Sequence, residues 1–398
     1  MTSDEQTDVQ AETETTSDVT GHGPRPRGRL LERIAPSNID WRSAVVVPLL
    51  AVLAALIVGA LIILITEGPE DVPRAYGALF RGAFMGLNPL SETLLNAAPL
   101  IIAGLAVAIG FQAGLFNIGV EGQMTVGGMA AVMAGFMITG LPWIVHLPLA
   151  IIAGFLAGGI WGGIPGWLRA KTGAHEVITT IMLNFIAYRL VDWLLKQPAI
   201  IREGRFDPIS RDVLPTARLP QLLDWINPSF RLHGGIILAV LVAIAVWWLL
   251  YRSTIGFEFR AVGSNPFAAG YAGMSVTGST VLVMALAGGL GGLAGANQTL
   301  GVLFSTSPGF TGGIGFDAIA LALLGRSHPG GVVLAGLLFG ALRAGGQVMQ
   351  VRSGVGIDLI TVIQALIIVF IAAPDLVRAI FRVRTGEGTG QLTRGWSA

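Results

Sequence analysis

Gly114–Thr125 reads GLFNIGVEGQMT and lies between two apolar stretches, Leu90–Ala113 and Val126–Thr139. It sets Asn117, Glu121 and Gln123 among Gly114, Gly119 and Gly122. An unpaired carboxylate at the centre of a membrane helix costs about 2.5–3.5 kcal/mol. Each glycine weakens a helix by about 1 kcal/mol relative to alanine. The stretch therefore reads as a broken helix whose freed backbone and polar groups face protein or water rather than lipid. Interrupted helices of this kind form sites in transporters. The same residues also fit a short cytoplasmic turn in which Glu121 is solvated.

The chain around it has the composition of an integral membrane protein. Hydrophobic residues make up 53% and charged residues 12%, about half the charge of an ordinary soluble domain. Its 398 residues have room for ten spans of about 20 residues each. A formal net charge of +1 gives no pull toward nucleic acid, and no nucleic-acid partner is expected. Cysteine is absent, which excludes disulfides, thiolate nucleophiles and Cys-ligated metals. No HExxH or GxSxG pattern is present, the histidines are isolated, and no metal or catalytic site is expected. A phosphate loop is also missing, because Lys171–Thr172 follows Ala170 instead of glycine.

Residues 1–42 turn from acidic (Met1–Val19) to basic (Arg25 to Arg42) and are predicted to be a disordered cytoplasmic tail. A transmembrane domain is expected over 43–373 and a second cytoplasmic tail over 374–398. Spans are predicted at Ser43–Thr66, Leu90–Phe111, Gln123–Thr139, Leu147–Trp167, Glu176–Leu195, Gly234–Tyr251, Val276–Asn297, Gly313–Leu324, Gly331–Met349 and Val355–Ala373. Gly313–Leu324 is too short to cross alone. The excess of Arg in alternate connections puts both termini in the cytoplasm and Gln197–His233 outside. That outer segment reads as a folded cap, a docking surface or a solvated connector. Gly154, Gly158 and Gly162 recur every fourth residue, as do Gly336 and Gly340, and Gly288–Gly295 is dense in glycine, so helix backbones are expected to approach closely. An echo between Leu147–Trp167 and Gly331–Met349 suggests two repeated halves.

Tyr251–Ser275 lies between two predicted spans on the cytoplasmic side. Asn265 can cap a short helix beginning at Pro266, carried by Ala268, Ala269 and Ala272 and ended by Gly273. Its flanking Arg252, Phe257, Arg260 and Phe267 suit a docking site, or an interfacial helix lying on lipid.

Three stretches together, GLFNIGVEGQM, GFEFRAVGSNPFAAGYAGMS (Gly256–Ser275) and GFDAIALALLGRSHPGGVVLAGLLFGAL (Gly315–Leu342), resemble the permease subunits of ABC importers for simple sugars, nucleosides and branched-chain amino acids. The NIGVEGQ form is most similar to the nucleoside-type branch. The resemblance covers Leu90–Ala373. It implies an all-α polytopic fold of about ten helices in two pseudo-repeated halves with broken helices. It implies a cytoplasmic ATPase that binds ATP and Mg, a second homologous permease and an external substrate-binding lipoprotein, with no cofactor in this chain. By the same resemblance Gly256, Phe257, Arg260, Gly263, Asn265, Pro266, Ala268, Ala269 and Gly273 form the ATPase-coupling segment. Candidates for the substrate pathway are the intramembrane polar residues Asn117, Glu121, Gln123, Asn184, Asn297, Gln298 and Asp317, with Asn96, Gln347 and Asp358 behind them. Aromatics such as Phe116 and Trp161 could stack a base. An ion-coupled secondary transporter is the competing class; it expects paired intramembrane charges, and Glu121, Asp317 and Asp358 have no obvious partners in the sequence.

Overall fold

A chain this apolar satisfies its backbone in hydrocarbon by forming helices. The computed structural model is helical, and its described residues hold only isolated β-bridges beyond the helices. It describes residues 41–372. The tails expected over 1–42 and 374–398 lie outside the described residues, except where 41–42 begin the first helix. The chain divides into two units, Met1–Val45 and Val46–Ala398, and the helix packing is that of the second.

The helices are α1 Trp41–Thr66, α2 Asp71–Phe84, α3 Leu87–Gln112, α4 Val120–Met137, α5 Trp143–Thr172, α6 Glu176–Leu194 and α7 Gly235–Arg252. Then come α8 Thr254–Ser264, α9 Pro266–Tyr271, α10 Val276–Gln298, α11 Ile314–Leu324, α12 Pro329–Ser353 and α13 Asp358–Ala372. Each predicted span falls on a helix. Among the described residues seven are long and apolar enough to cross a membrane: α1, α3, α5, α6, α7, α12, and α10 extended by a π-helical turn. This is a multi-pass membrane protein. Two helices have no counterpart in the sequence reading. Helix α2 is amphipathic, with Asp71, Arg74 and Arg81 on it, and read as an outer connection. Helix α8 is capped by Ser253, whose hydroxyl accepts from Gly256 N at 3.0 Å.

Helix α3 is the central post. From Ala97 to Gly110 every residue is buried. Its packing partners include α12, α10, α11 and α7. The glycine rows do what their spacing predicts. A Cβ built on Gly158 would meet Gly292 Cα at 2.6 Å, and one on Gly162 would meet Gly288 Cα at 2.7 Å, so α5 and α10 touch backbone to backbone. Gly336 and Gly340 do the same for α12 against α3, at Ile101 and at Thr93 and Ala97.

One pattern occurs twice. A long helix, an interruption, a shorter helix and a glycine-rich helix succeed each other as α3, 113–119, α4, α5, and again as α10, 304–313, α11, α12. The long helix of each set packs on the glycine-rich helix of the other, α3 on α12 and α10 on α5. The sequence echo between Leu147–Trp167 and Gly331–Met349 is the last member of each set.

The segment 195–234 is a folded cap rather than a solvated connector. Ser210 N donates to Thr306 O at 2.9 Å, Val213 N to Phe304 O at 2.8 Å, and Leu214 N to Gly135 O at 2.9 Å. Its own Val213 and Ala217 are wholly buried, and His146 Nδ1 lies 2.7 Å from Thr216 Oγ1.

Candidate functional site

The interruption is shorter than the sequence suggested: helix is lost only at 113–119, and Glu121 and Gln123 already belong to α4. A helix that starts inside a protein leaves its first N–H groups without partners, and they must be satisfied locally. Asn117 Oδ1 accepts from Gly119 N at 2.9 Å. Asn184 on α6 accepts from Gly122 N at 2.8 Å and donates to Ile118 O at 2.9 Å. Asn117 and Gln123 close on each other through two hydrogen bonds, Asn117 Nδ2 donating to Gln123 Oε1 at 3.1 Å and Gln123 Nε2 to Asn117 Oδ1 at 3.2 Å. Gly122 permits this approach, since a Cβ there would lie 2.9 Å from Asn184 Cα.

Glu121 is 1% exposed, so the solvated turn is excluded. Its Oε2 accepts from Gly315 N at 2.7 Å, at the second residue of α11. Its Oε1 accepts from Tyr188 Oη at 3.1 Å and from the Thr311 hydroxyl. The carboxylate of one interrupted helix thus caps the start of the other, where the helix dipole favours negative charge. Four of the predicted residues, Asn117, Glu121, Gln123 and Asn184, form this single node. Asn117, Gln123 and Asn184 tie the first interruption to α4 and α6, and Glu121 alone joins it to the second.

The other predicted residues lie elsewhere. Asn297 joins α10 to α7 through a 3.0 Å bond to Gly235 O, and its Oδ1 is buried without a partner. Gln298 follows it, half-buried, before the π-helical turn. Asp317 accepts from Arg343 Nη2 at 2.5 Å, which ties α11 to α12. Asp317 thus has a charge partner that the sequence did not make obvious, on a later helix, whereas the partners of Glu121 are two hydroxyls and a backbone N–H and none is a charge. Asp358 is exposed at the first residue of α13, and Gln347 is exposed on α12.

At the opposite end of the interruption, α8 packs against it, and α9 follows α8. Asn265 Oδ1 accepts from Ala268 N at 3.0 Å, Pro266 is the first helical residue, and Gly273 has φ +83°. Those features match the sequence reading. One does not: Ala269 is 4% exposed and faces the protein. Phe267 and Tyr271 are 84% and 96% exposed, and Phe257 and Ala268 are exposed beside them. Gly263 meets the interruption directly, for a Cβ on it would lie 2.7 Å from Gly114 N and Gln112 O. Arg260 stacks 5.2 Å from the Tyr251 ring, and Gly256 is buried against the end of α7. A cavity of about 270 Å³ separates Leu115, Arg169, Val262 and Pro266. Arg169 pairs with Glu176, which also accepts from Phe116 N at 3.4 Å.

In the cap, His233 is buried, with Nδ1 accepting from Gly235 N at 3.1 Å. Burial lowers its imidazole from the usual 6.5 to about 4. Arg231 is raised, chiefly by its hydrogen bond to Glu92.

Sequence reasoning missed the side chains along the outward face of α6. Phe185, Arg189 and Trp193 are exposed there, and Arg189 lies 3.5 Å from Asp192. The signal was Arg189 itself, a charge inside a predicted span.

A family model described as "Branched-chain amino acid transport system / permease component" matches residues 90–372. The chain is 42% identical over 337 residues to the Guanosine ABC transporter permease protein NupP of Bacillus subtilis (strain 168), covering 84% of this chain and 95% of that one. It is 38% identical over 346 residues to the Glucose ABC transporter permease protein TsgB13 of Haloferax volcanii, 85% of this chain and 89% of that one. It is 34% identical over 340 residues to the Nucleoside ABC transporter permease protein NupB of Lactococcus lactis subsp. cremoris, 84% of this chain and 92% of that one. No solved structure matches the chain.

Proposed function

This chain belongs to the branched-chain amino acid transport system permease component family, and on that premise we propose that its ABC importer carries nucleosides. The observation supporting this substrate class is that two of the three relatives above are named for guanosine and for nucleosides, one of them at 42% identity. The glucose permease TsgB13 keeps simple sugars as the second reading.

The chain sits in the cytoplasmic membrane with both termini inside and Gln197–His233 outside, as the arginine bias favours. A cytoplasmic ATPase binds ATP and Mg and docks on α8–α9. A second homologous permease and an external binding lipoprotein complete the importer. The exposed rings of Phe257, Phe267 and Tyr271 form the docking face, because exposed aromatics in a short capped helix suit insertion into a partner's cleft. Gly263 passes displacement of α8 to the interruption it touches. Glu121 and the amides of Asn117, Gln123 and Asn184 pass it on to α11. These residues act by positioning the pathway, while Asn297, Gln298 and Asp317 join its walls.

Uptake of labelled guanosine and uridine by cells carrying the complete importer tests the substrate class. Competition by unlabelled nucleosides and none by glucose or leucine is expected. Competition by glucose with none by nucleosides would select the second reading.

A further inference from the structure

Exposed faces of membrane helices differ in what they can face. The outward stripe of α5 carries Leu149, Ile152, Leu156, Ile160 and Ile164, all compatible with lipid. The outward face of α6 carries Arg189, 87% exposed, beside Asp192. A charged pair of this kind belongs beside a water-filled passage or another subunit.

Against that face lies an open cavity of about 290 Å³, lined by Thr125 of α4, by Phe185, Tyr188, Arg189 and Asp192 of α6, and by Phe310 from the second interruption. Three aromatic rings from two separate segments border it. Its inner hydroxyls have already given away their protons. Tyr188 Oη donates to Glu121 Oε1, and Thr125 Oγ1 donates to Glu121 O at 2.7 Å. Each oxygen keeps lone pairs and can only accept. The rim charges neutralise each other. The walls therefore offer flat apolar faces and hydrogen-bond acceptors, with no unpaired charge.

We propose that this cavity is a transient substrate subsite of the passage, and that it takes a nucleoside: the base stacks against Phe185 and Phe310, and its N–H groups donate to Tyr188 Oη and Thr125 Oγ1. A base supplies both the π-face and the donors. An amino-acid zwitterion would have to compete with the Arg189–Asp192 pair for its charges. The volume is at the lower end for a small-molecule site, about 300–1,000 Å³, which suits brief occupancy by one small ligand. The proposal rests on the import reading above and adds where in this chain the substrate is held.

The absence of native cysteine permits a direct test in the complete importer. Phe185→Cys and Ile160→Cys are each labelled with a membrane-impermeant thiol reagent, with guanosine, glucose or leucine present. Both native side chains are exposed, so neither change disturbs the core. The expected result is fast labelling of Phe185→Cys, slowed by guanosine alone once its concentration is raised to offset the lost Phe185 ring, and little labelling of Ile160→Cys. Phe185→Ala should raise the guanosine KM about tenfold, the size of one base–aromatic stacking contact. Labelling at Phe185→Cys no faster than at Ile160→Cys would place α6 against lipid and overturn the subsite. Protection by glucose and not by guanosine would overturn the ligand class. Guanosine protection in an importer whose wild-type form takes up no nucleoside would support the subsite and sink the import reading instead.

Discussion

Removing the Glu121 carboxylate tests the link between the two interruptions. Glu121 accepts three hydrogen bonds, from Gly315 N, Tyr188 Oη and the Thr311 hydroxyl. Glu121→Ala deletes both acceptor oxygens, and with them all three hydrogen bonds, inside the protein. A buried donor left without an acceptor costs about 1–3 kcal/mol, and Gly315 N–H cannot turn elsewhere. With Thr311 also buried, the loss comes to about 2–6 kcal/mol, a large part of the usual net stability of about 5–15 kcal/mol. Glu121→Gln behaves differently. Its amide oxygen can face Gly315 N while its NH₂ faces Thr311 and Tyr188, whose hydroxyls can reverse and accept. What remains is the lost charge at the α11 N-terminus, about 0.3–1 kcal/mol and at most about 2. Melting of the purified permease and uptake at matched abundance should therefore rank wild type, then Gln close behind, then Ala far below. Equal behaviour of Ala and Gln, whether both normal or both dead, would refute the capping role.

Phe267→Ala combined with Tyr271→Ala should leave abundance unchanged and weaken copurification of the ATPase, because both rings are exposed; undiminished copurification together with normal uptake would remove α9 as the docking face. Ala269→Glu, by contrast, forces a carboxylate into a position 4% exposed, so its first effect should be a loss of permease stability seen in melting. Phe206→Cys in the cap should be labelled from outside intact cells and Ser264→Cys should not; the opposite pattern would invert the topology. His233 contributes to pH dependence with a definite sign. Its folded pKa is lowered from 6.5 to about 4, so the unfolded chain takes up a proton first as pH falls. Stability is therefore kept above about pH 6.5 and lost between there and about pH 4, by about 3 kcal/mol. Melting of wild type and His233→Gln across that window should show a shallower slope in the variant.

Helix positions were legible because long apolar runs leave the backbone no other solution in a membrane. The Asn265–Pro266 start and the glycine rows were legible because caps and close approaches each require particular residue types. Three features were not. Helix α2 lacks a continuous apolar run, and its buried Ala75, Ala78 and Gly82 make sense only against α12. The direction of Ala269 depends on which side of a six-residue helix meets the rest of the protein. The partners of Glu121 lie 67, 190 and 194 residues further along and that of Asp317 26, and nothing local in the sequence joins them. Of the polar residues singled out as pathway candidates, Asn117, Glu121, Gln123, Asn184 and Asp317 turned out to be internally bonded, while Arg189 stands exposed on α6 beside Asp192.

The most direct measurement is guanosine accumulation in vesicles reconstituted with this permease, its partner permease, the ATPase and the binding protein. Accumulation that requires ATP hydrolysis and the binding protein, and that persists with ion gradients collapsed, is the expected result. Accumulation driven by an ion gradient without ATP, or transport of glucose or leucine with guanosine ignored, would contradict it.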